Sequence, residues 1–367
     1  MAGLIDRNLT DGFGGNHQRR VWLSTALATA PEKRIALVIA AVSFIAFLGI
    51  VPFARTALTA LPAFIPAYEA ALFFIDLITA VLLFDQFARA QTRGMLFLAS
   101  AYLFDALIIV PHALSFPGAF WPTGMPGAGM QTTAWLYVFW HGGFSAFVIC
   151  YALWSRREQG AAKSPWTFRQ IFGSIAGSIL GVALLTVILT LVATLGHDLL
   201  PVVMQGGDYS LLVMKGVSPA VWLLTFIGML LLWRREQRAM DLWLMLVMWV
   251  WLFDIALSAV IGSNRFDLGF YAGRIFGLLA ASFLLLALII QTIRLYSSAE
   301  RRLAQLTSIL ARGEIAPSKS NDEPAELFVI RENIMRYRAL LKSSSLSDEQ
   351  RRTIEELLDE DERRYRG

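Results

Sequence analysis

Ionisable side chains interrupt several long apolar segments of this sequence. A charged group at the centre of a lipid bilayer costs roughly 2.5–3.5 kcal/mol on insertion scales, so such residues usually face a partner or a water-filled cavity. Asp76, Asp105 and Asp254 lie near the middle of their segments. Four others lie nearer to one end: Glu69, His112, His141 and Arg274.

Five of these residues are predicted to form a polar, ligand-binding pocket in the outer half of the protein: Glu69, His112, His141, Asp254 and Arg274. Histidines and carboxylates together could hold a metal ion, or could hydrogen-bond a small molecule or a quinone. A haem held by His112 and His141 is a further option, although their spacing does not require one. The alternative is an interhelical network without a ligand, and Asp76 and Asp105 are assigned to such a network.

The segments that carry these residues are long enough to cross a membrane. A bilayer core about 30 Å thick needs roughly 20 apolar residues per helix. The chain is 56% hydrophobic and 16% charged, which argues against a soluble protein. The sequence therefore predicts an all-α integral membrane protein, a bundle of about eight transmembrane helices followed by a short helical hairpin. The predicted spans are 34–53, 66–84, 94–113, 132–154, 171–195, 217–233, 241–262 and 270–293.

Lysine and arginine are concentrated in alternate loops. Arg156 and Arg157, for example, follow the fourth span, whereas Lys215 is the nearest basic residue before the sixth. Because basic loops stay in the cytoplasm, both the N-terminus and the C-terminus are predicted to be cytoplasmic. The net charge of +4 is assigned to this topology and to contact with membrane lipids, and no nucleic-acid partner is expected.

The chain is divided by composition into four parts. Residues 1–33 form a cytoplasmic N-terminal segment, 34–295 the membrane domain, 296–325 a helix extension with a linker, and 326–367 a helical hairpin. The hairpin is too small for a catalytic core, so it is expected to dock a cytoplasmic signalling protein, unless it is a passive tail.

Two stripes of small residues recur at four-residue spacing. They are Gly173, Gly177 and Gly181 in one span, and Gly273, Gly277 and Ala281 in another. Such stripes let helices approach closely, either within one bundle or in a homodimer, and the sequence does not separate these uses.

The predicted outer loop from Ser115 to Thr133 is long, uncharged and rich in glycine and proline. Its Phe116, Phe120 and Trp121 side chains favour burial over disorder. The loop is therefore expected either to cover a cavity at the outer mouth of the bundle or to form an interfacial turn without a ligand.

The membrane domain resembles the membrane-associated sensor (MASE) domain family, class four, of bacterial signalling proteins. The resemblance covers roughly residues 34–295 and rests on residues 62–87, 98–144 and 265–288. Its most specific parts are the stretches HALSFPG, which begins at His112, and WHGG, which begins at Trp140.

The resemblance implies a sensor in the bacterial inner membrane that feeds a cytoplasmic output, commonly a diguanylate cyclase or a histidine kinase. The tail lacks the Gly-Gly-Asp/Glu-Glu-Phe signature and a phosphoacceptor histidine, so second-messenger synthesis is not carried over. A non-enzymatic sensor of a small ligand or of the membrane state is the leading hypothesis. A transporter or channel, or a haem- or quinone-binding redox protein, remains the alternative.

Overall fold

The computed structural model describes residues 27–158, 166–234, 238–311, 325–341 and 348–366. These residues fold into helices, which confirms the predicted all-α class. The α-helices are α1 Ala30–Ile50, α2 Phe64–Ala90, α3 Arg93–Ser115, α4 Thr132–Arg157, α5 Phe168–Thr194, α6 Ser210–Met214, α7 Val217–Trp233, α8 Ala239–Ile255, α9 Leu268–Ala311, α10 Ala325–Leu341 and α11 Asp348–Arg366. Short 3₁₀ turns cover Val51–Phe53 and His197–Leu199, and a π-helical segment, Ala256–Ile261, continues α8.

Seven helices in the described parts of the chain are long and apolar enough to cross a membrane. They are α1 to α5, α8 together with its π-helical segment, and the part of α9 from Leu268 to Ser297. The remaining predicted span corresponds to α7, which is apolar but has only 17 residues. At 1.5 Å per residue α7 is about 26 Å long, close to the lower limit for a spanning helix.

Polar capping residues set the first turns of three membrane helices. The Thr29 hydroxyl accepts a hydrogen bond from the Glu32 amide, while the Glu32 carboxylate accepts one from the Thr29 amide. Thr167 and Gln170 repeat this capping box at the start of α5, and Thr92 caps α3. These side chains satisfy amide groups that have no partner within the helix.

Contacts between the helices fix their relative directions. Trp249 of α8 donates a hydrogen bond to the Ala40 carbonyl of α1. One to two turns further along both helices, Phe253 stacks on Phe47 with ring centroids 4.6 Å apart. Because the contacting residue numbers increase along both helices from the first contact to the second, α1 and α8 run in the same direction.

Helices α2 and α9 also run in the same direction. Tyr68 lies beside Gly277 in their first halves, and Gln86 donates a hydrogen bond of 2.8 Å to Gln291 in their second halves. Helix α7 is parallel to α4, since Val221 lies beside Gly142 and Thr225 hydrogen-bonds Ser145 at 2.7 Å.

Helices α3 and α8 form the centre of the bundle. Within their most apolar stretches 72% and 78% of the residues are buried in the protein, against 11% for α1 and α5. The ionisable residues of α3 and α8 therefore face other helices rather than lipid.

The two small-residue stripes have different surroundings. A Cβ atom added at Gly277 would lie 2.8 Å from an oxygen of Asp254, so this stripe packs inside the bundle. Added Cβ atoms at Gly173, Gly177 and Gly181 would meet nothing within 4 Å among the described residues. Among the described residues the stripe of α5 is therefore not used for packing, and the homodimer alternative stays a prediction.

The chain separates into two compact units, Met1–Leu295 and Tyr296–Gly367. In the second unit α10 packs against α11, as the predicted helical hairpin requires. Ile330 and Ile334 are buried, and Arg338 forms an ion pair of 2.7 Å with Glu362.

Candidate functional site

A small cavity lies at the end of the bundle where α3 ends and α4 and α9 begin. It has a volume of about 40 Å³, which is room for about three water-sized groups. The chain segments before α6 and before α9 contribute to its wall together with the membrane helices. Its lining residues are His112, Phe116, Thr133, Ala134, Tyr137, Met204, Tyr209, Leu212, Ser258, Ala259, Arg265, Phe270 and Arg274.

The π-helical segment after α8 supplies one polar wall of the cavity. Ser258 lies in this segment and lines the cavity, and its hydroxyl donates a hydrogen bond of 2.7 Å to Asp254. Single π-helical turns are rare and occur frequently at functional sites. Here the turn places Ser258 between the cavity and a buried carboxylate.

Two arginines line the cavity without a carboxylate partner. Among the described residues neither Arg265 nor Arg274 forms an ion pair within 4.0 Å. Arg274 is 8% exposed, lies 3.6 Å from the centre of the Phe270 ring, and donates a hydrogen bond to the Phe270 carbonyl. Arg265 lies over the ring of Phe116 and contacts the sulfur of Met204.

The surroundings of Arg265 and Tyr209 shift the pKa of both side chains. Burial, together with the neighbouring Arg274 guanidinium, lowers the pKa of Arg265 to about 10. At neutral pH Arg265 is therefore still positively charged. Burial and the nearby Asp267 carboxylate raise the pKa of the Tyr209 phenol well above its ordinary value, so Tyr209 remains a neutral hydrogen-bond donor.

His112 connects the cavity to a buried carboxylate. Its Nδ1 lies 2.7 Å from an oxygen of Glu69, and both side chains are almost completely buried. Within the described chain its other ring nitrogen, Nε2, forms no hydrogen bond. His112 follows Pro111, which has no amide hydrogen and so removes one backbone hydrogen bond from α3.

His141 and Asp254 form a second buried pair behind the cavity. His141 Nδ1 lies 3.0 Å from the Tyr137 carbonyl, which only accepts hydrogen bonds, so Nδ1 carries a proton. His141 Nε2 lies 3.3 Å from Asp254, and a hydrogen bond there requires one more proton on one of the two groups. The pair is therefore neutral overall. Tyr137, which lines the cavity, stacks on His141 at 3.9 Å.

Asp76 and Asp105 lie apart from the cavity. They are 0% and 1% exposed and close enough to interact electrostatically, with Tyr102 near both. Neither lines the cavity, and in the described residues Asp76 has no hydrogen-bond partner. The assignment of Asp76 and Asp105 to an intramembrane polar network stays a prediction.

The structure thus divides the five predicted pocket residues. His112 and Arg274 line the cavity, whereas Glu69, His141 and Asp254 lie behind its wall. No group of three or more His, Cys, Asp and Glu side chains in the described residues is arranged to hold a metal ion. The metal, haem and quinone options for His112 and His141 stay predictions.

Tyr209, Ser258 and Arg265 are among the cavity residues that were not predicted as site residues. Arg265 lies between two predicted spans, and nothing in the sequence around Tyr209 indicates burial. Ser258 lies four residues after Asp254, which is a signal that helical spacing could have provided.

The long loop after α3 contributes only its two ends to the cavity, Phe116 and Thr133. Phe116 is buried between Phe266 and Phe270, but Phe120 and Trp121 are 56% and 40% exposed. The expectation that all three aromatic residues are buried is wrong for the last two. They lie on turns with local backbone hydrogen bonds from the Gly118 and Gly124 amides to the Trp121 carbonyl, and the Met125 amide then donates to the Leu114 carbonyl of α3.

A larger groove opens between α3, α4 and α5, with a volume of about 550 Å³. Its lining is mainly apolar, with Arg93, Trp154 and Trp166 at one end. It is separate from the cluster of ionisable residues, and its composition suits the acyl chains of the predicted lipid partners.

The fold and the site define a multi-pass, α-helical membrane protein with a small cavity, lined by two arginines, at one end of its bundle. Residues 59–296 match the MASE4 family, described as a membrane-associated sensor, integral membrane domain. The match covers more than half of the 367 residues, and the chain belongs to this family. Neither the curated proteins nor the solved structures give a significant match.

Proposed function

We propose that this protein is a non-enzymatic sensor of the bacterial cytoplasmic membrane. It detects a small ligand in the outer half of the bundle and signals to a cytoplasmic protein through its C-terminal helices. Membership of the MASE4 family supports a sensing role. The observation that carries the proposal is the cavity, because its wall connects through His112 and Ser258 to two buried histidine–carboxylate pairs.

Helix α9 supports a route from the cavity to the tail. It carries Arg274 near its beginning and continues without interruption to Ala311. A ligand shifts the equilibrium between two states of such a helix only to the extent that it binds one state more tightly. Moving the populations of the two states from 1:99 to 99:1 requires a difference in binding free energy of about 5.5 kcal/mol. Polar contacts to a buried arginine and histidine are the kind of interaction that supplies part of this preference.

An eight-span topology with both termini in the cytoplasm fits the helix directions. Helices α1 and α8 run in the same direction, so an odd number of spans must lie between them. That number is five if α7 crosses and four if it does not. The basic residues in alternate loops place the start of α1 and the end of the membrane part of α9 on the cytoplasmic side.

This topology predicts opposite labelling of two exposed residues that flank α7. In a Cys150→Ser background, Lys215→Cys should react with a membrane-impermeant maleimide in intact spheroplasts. Arg234→Cys should react only after permeabilisation, because it lies on the cytoplasmic side. Equal labelling of both residues before permeabilisation would show that α7 does not cross.

The sensor proposal predicts that a cytoplasmic protein binds the tail in a manner that depends on the cavity. The bait is the full chain in lipid nanodiscs, compared with a chain that ends at Leu295. We expect binding to be lost without the tail and to change about fivefold or more in Arg274→Gln. Lys215→Gln, which removes an exposed charge outside the cavity lining, is the matched control and should bind as the unmodified chain does.

Two outcomes would contradict the proposal. The first is a partner that binds equally well to the chain without residues 296–367. The second is a tail-dependent partner whose affinity is the same for Arg274→Gln and Lys215→Gln, because the cavity would then have no influence on the output.

A further inference from the structure

We propose that the cavity is a binding site for a small oxyanion, either a carboxylate or an inorganic oxyanion of similar size, held between Arg265 and Arg274. This inference names the ligand class of the sensor site and so rests on the proposed function. Bicarbonate, formate and acetate represent the chemistry.

The first argument is the charge of the two guanidinium groups. A buried cation that lacks an anionic partner is unfavourable. Arg265 and Arg274 have only aromatic rings, a carbonyl oxygen and a thioether as close partners among the described residues. An anion in the cavity would supply the missing partner.

The nearby carboxylates are engaged elsewhere. Asp267 accepts hydrogen bonds from the amides of Ser263, Asn264 and Phe270 and so caps α9. Asp208 accepts one from the Ser210 amide. Glu69 and Asp254 belong to the two histidine pairs. None of these four carboxylates lies within ion-pair distance of either arginine.

The second argument is a buried donor without a partner in the cavity wall. The Tyr209 hydroxyl is buried, lines the cavity and has no hydrogen-bond partner in the described chain. Because Tyr209 is 6% exposed, leaving this donor unpaired is costly, and an oxyanion could accept its hydrogen bond.

The third argument is the size of the cavity. Room for about three water-sized groups matches the three non-hydrogen atoms of a carboxylate group, and bicarbonate has only one non-hydrogen atom more. Guanidinium groups bind such oxygens through paired hydrogen bonds, which adds geometric selectivity over a spherical halide. Phosphorylated metabolites are too large for the cavity as it stands.

The test uses the full chain in nanodiscs and follows thermal unfolding by tryptophan fluorescence. Sodium bicarbonate, formate, acetate and chloride are titrated at constant pH and constant ionic strength, with gluconate as the bulky background anion. We expect at least one oxyanion to raise the apparent Tm saturably by about 3 °C or more, and by more than chloride raises it. A larger rise in Tm with bicarbonate than with formate and acetate indicates an inorganic ligand, and the reverse order indicates a carboxylate ligand.

Matched variants assign the effect to the cavity. Arg265→Gln and Arg274→Gln should weaken the oxyanion about tenfold or more, because each removes a charged donor. Tyr209→Phe keeps the ring and removes only the hydroxyl, so it should weaken binding several-fold while the anion-free Tm stays the same. Lys215→Gln should bind as the unmodified chain does.

Failure of this inference is distinguishable from failure of the sensor proposal. No saturable shift with any oxyanion, or a shift that survives in Arg265→Gln and Tyr209→Phe, overturns the oxyanion site. If the tail partner still responds to Arg274→Gln in that case, the sensor proposal stands with another ligand class. Oxyanion binding without any effect on the tail partner confirms the site and overturns the sensor proposal.

Discussion

Replacing His112 with alanine is expected to lower the free energy of unfolding by about 3–5 kcal/mol. The reason is the Glu69 carboxylate, which would be left buried without its partner at 2.7 Å. Unfolding in detergent mixtures of increasing SDS content, followed by tryptophan fluorescence, measures the change.

The control is another histidine that faces a carboxylate. His197 lies 2.9 Å from Asp198, but the Asp198 side chain is 91% exposed. Exposed ion pairs contribute about 0–1 kcal/mol, so His197→Ala should change stability by no more than that. Equal losses for the two alanine variants would show that burial of the Glu69–His112 pair has no energetic role.

A double replacement separates a structural role of the pair from a sensing role. Glu69→Leu with His112→Leu removes both polar groups together, and such replacements are often neutral for stability. We expect this variant to regain most of the stability and to remain unresponsive in the tail-binding assay. A stable double variant with a normal response would assign the pair to structure alone.

The same substitution at two glycines should have opposite effects. In Gly277→Ala the new Cβ atom would lie 2.8 Å from both Asp254 and the Tyr68 hydroxyl. Asp254 is held by His141 and Ser258, so moving it aside disturbs both hydrogen bonds. Overpacking of this kind typically costs about 1–3 kcal/mol.

Gly177→Ala is the matched control in the middle of another membrane helix. Its Cβ atom would meet nothing within 4 Å, and alanine favours a helix over glycine by up to about 1 kcal/mol. This variant should therefore be as stable as the unmodified chain or slightly more stable. The SDS unfolding assay measures both, and a loss at Gly177 that equals the loss at Gly277 would contradict the packing described for α9.

Hydropathy was sufficient to predict the membrane helices, since their lengths follow from the thickness of the bilayer. It also located the short apolar helix Val217–Trp233. The sequence did not reveal that His112 pairs with Glu69 and His141 with Asp254. Those partners lie 43 and 113 residues apart, and their pairing depends on how the helices pack.

The cavity was harder to predict because loop residues complete it. Tyr209 and Arg265 belong to connecting segments, where polar residues are normally exposed, and only tertiary contacts bury Tyr209 and partly cover Arg265. The π-helical turn that aims Ser258 at Asp254 follows from no sequence pattern in this region. The positions of the apolar helices were therefore predictable from local sequence, whereas the composition of the site was not.

The central claim is that the cavity and the cytoplasmic helices are coupled. Hydrogen–deuterium exchange of the full chain in nanodiscs tests it directly, with exchange followed in residues 325–341 and 348–366. The account predicts that Arg274→Gln changes the protection of these two helices, while Lys215→Gln leaves it unchanged. Changes confined to the outer half of the bundle, with identical exchange in both tail helices, would contradict it.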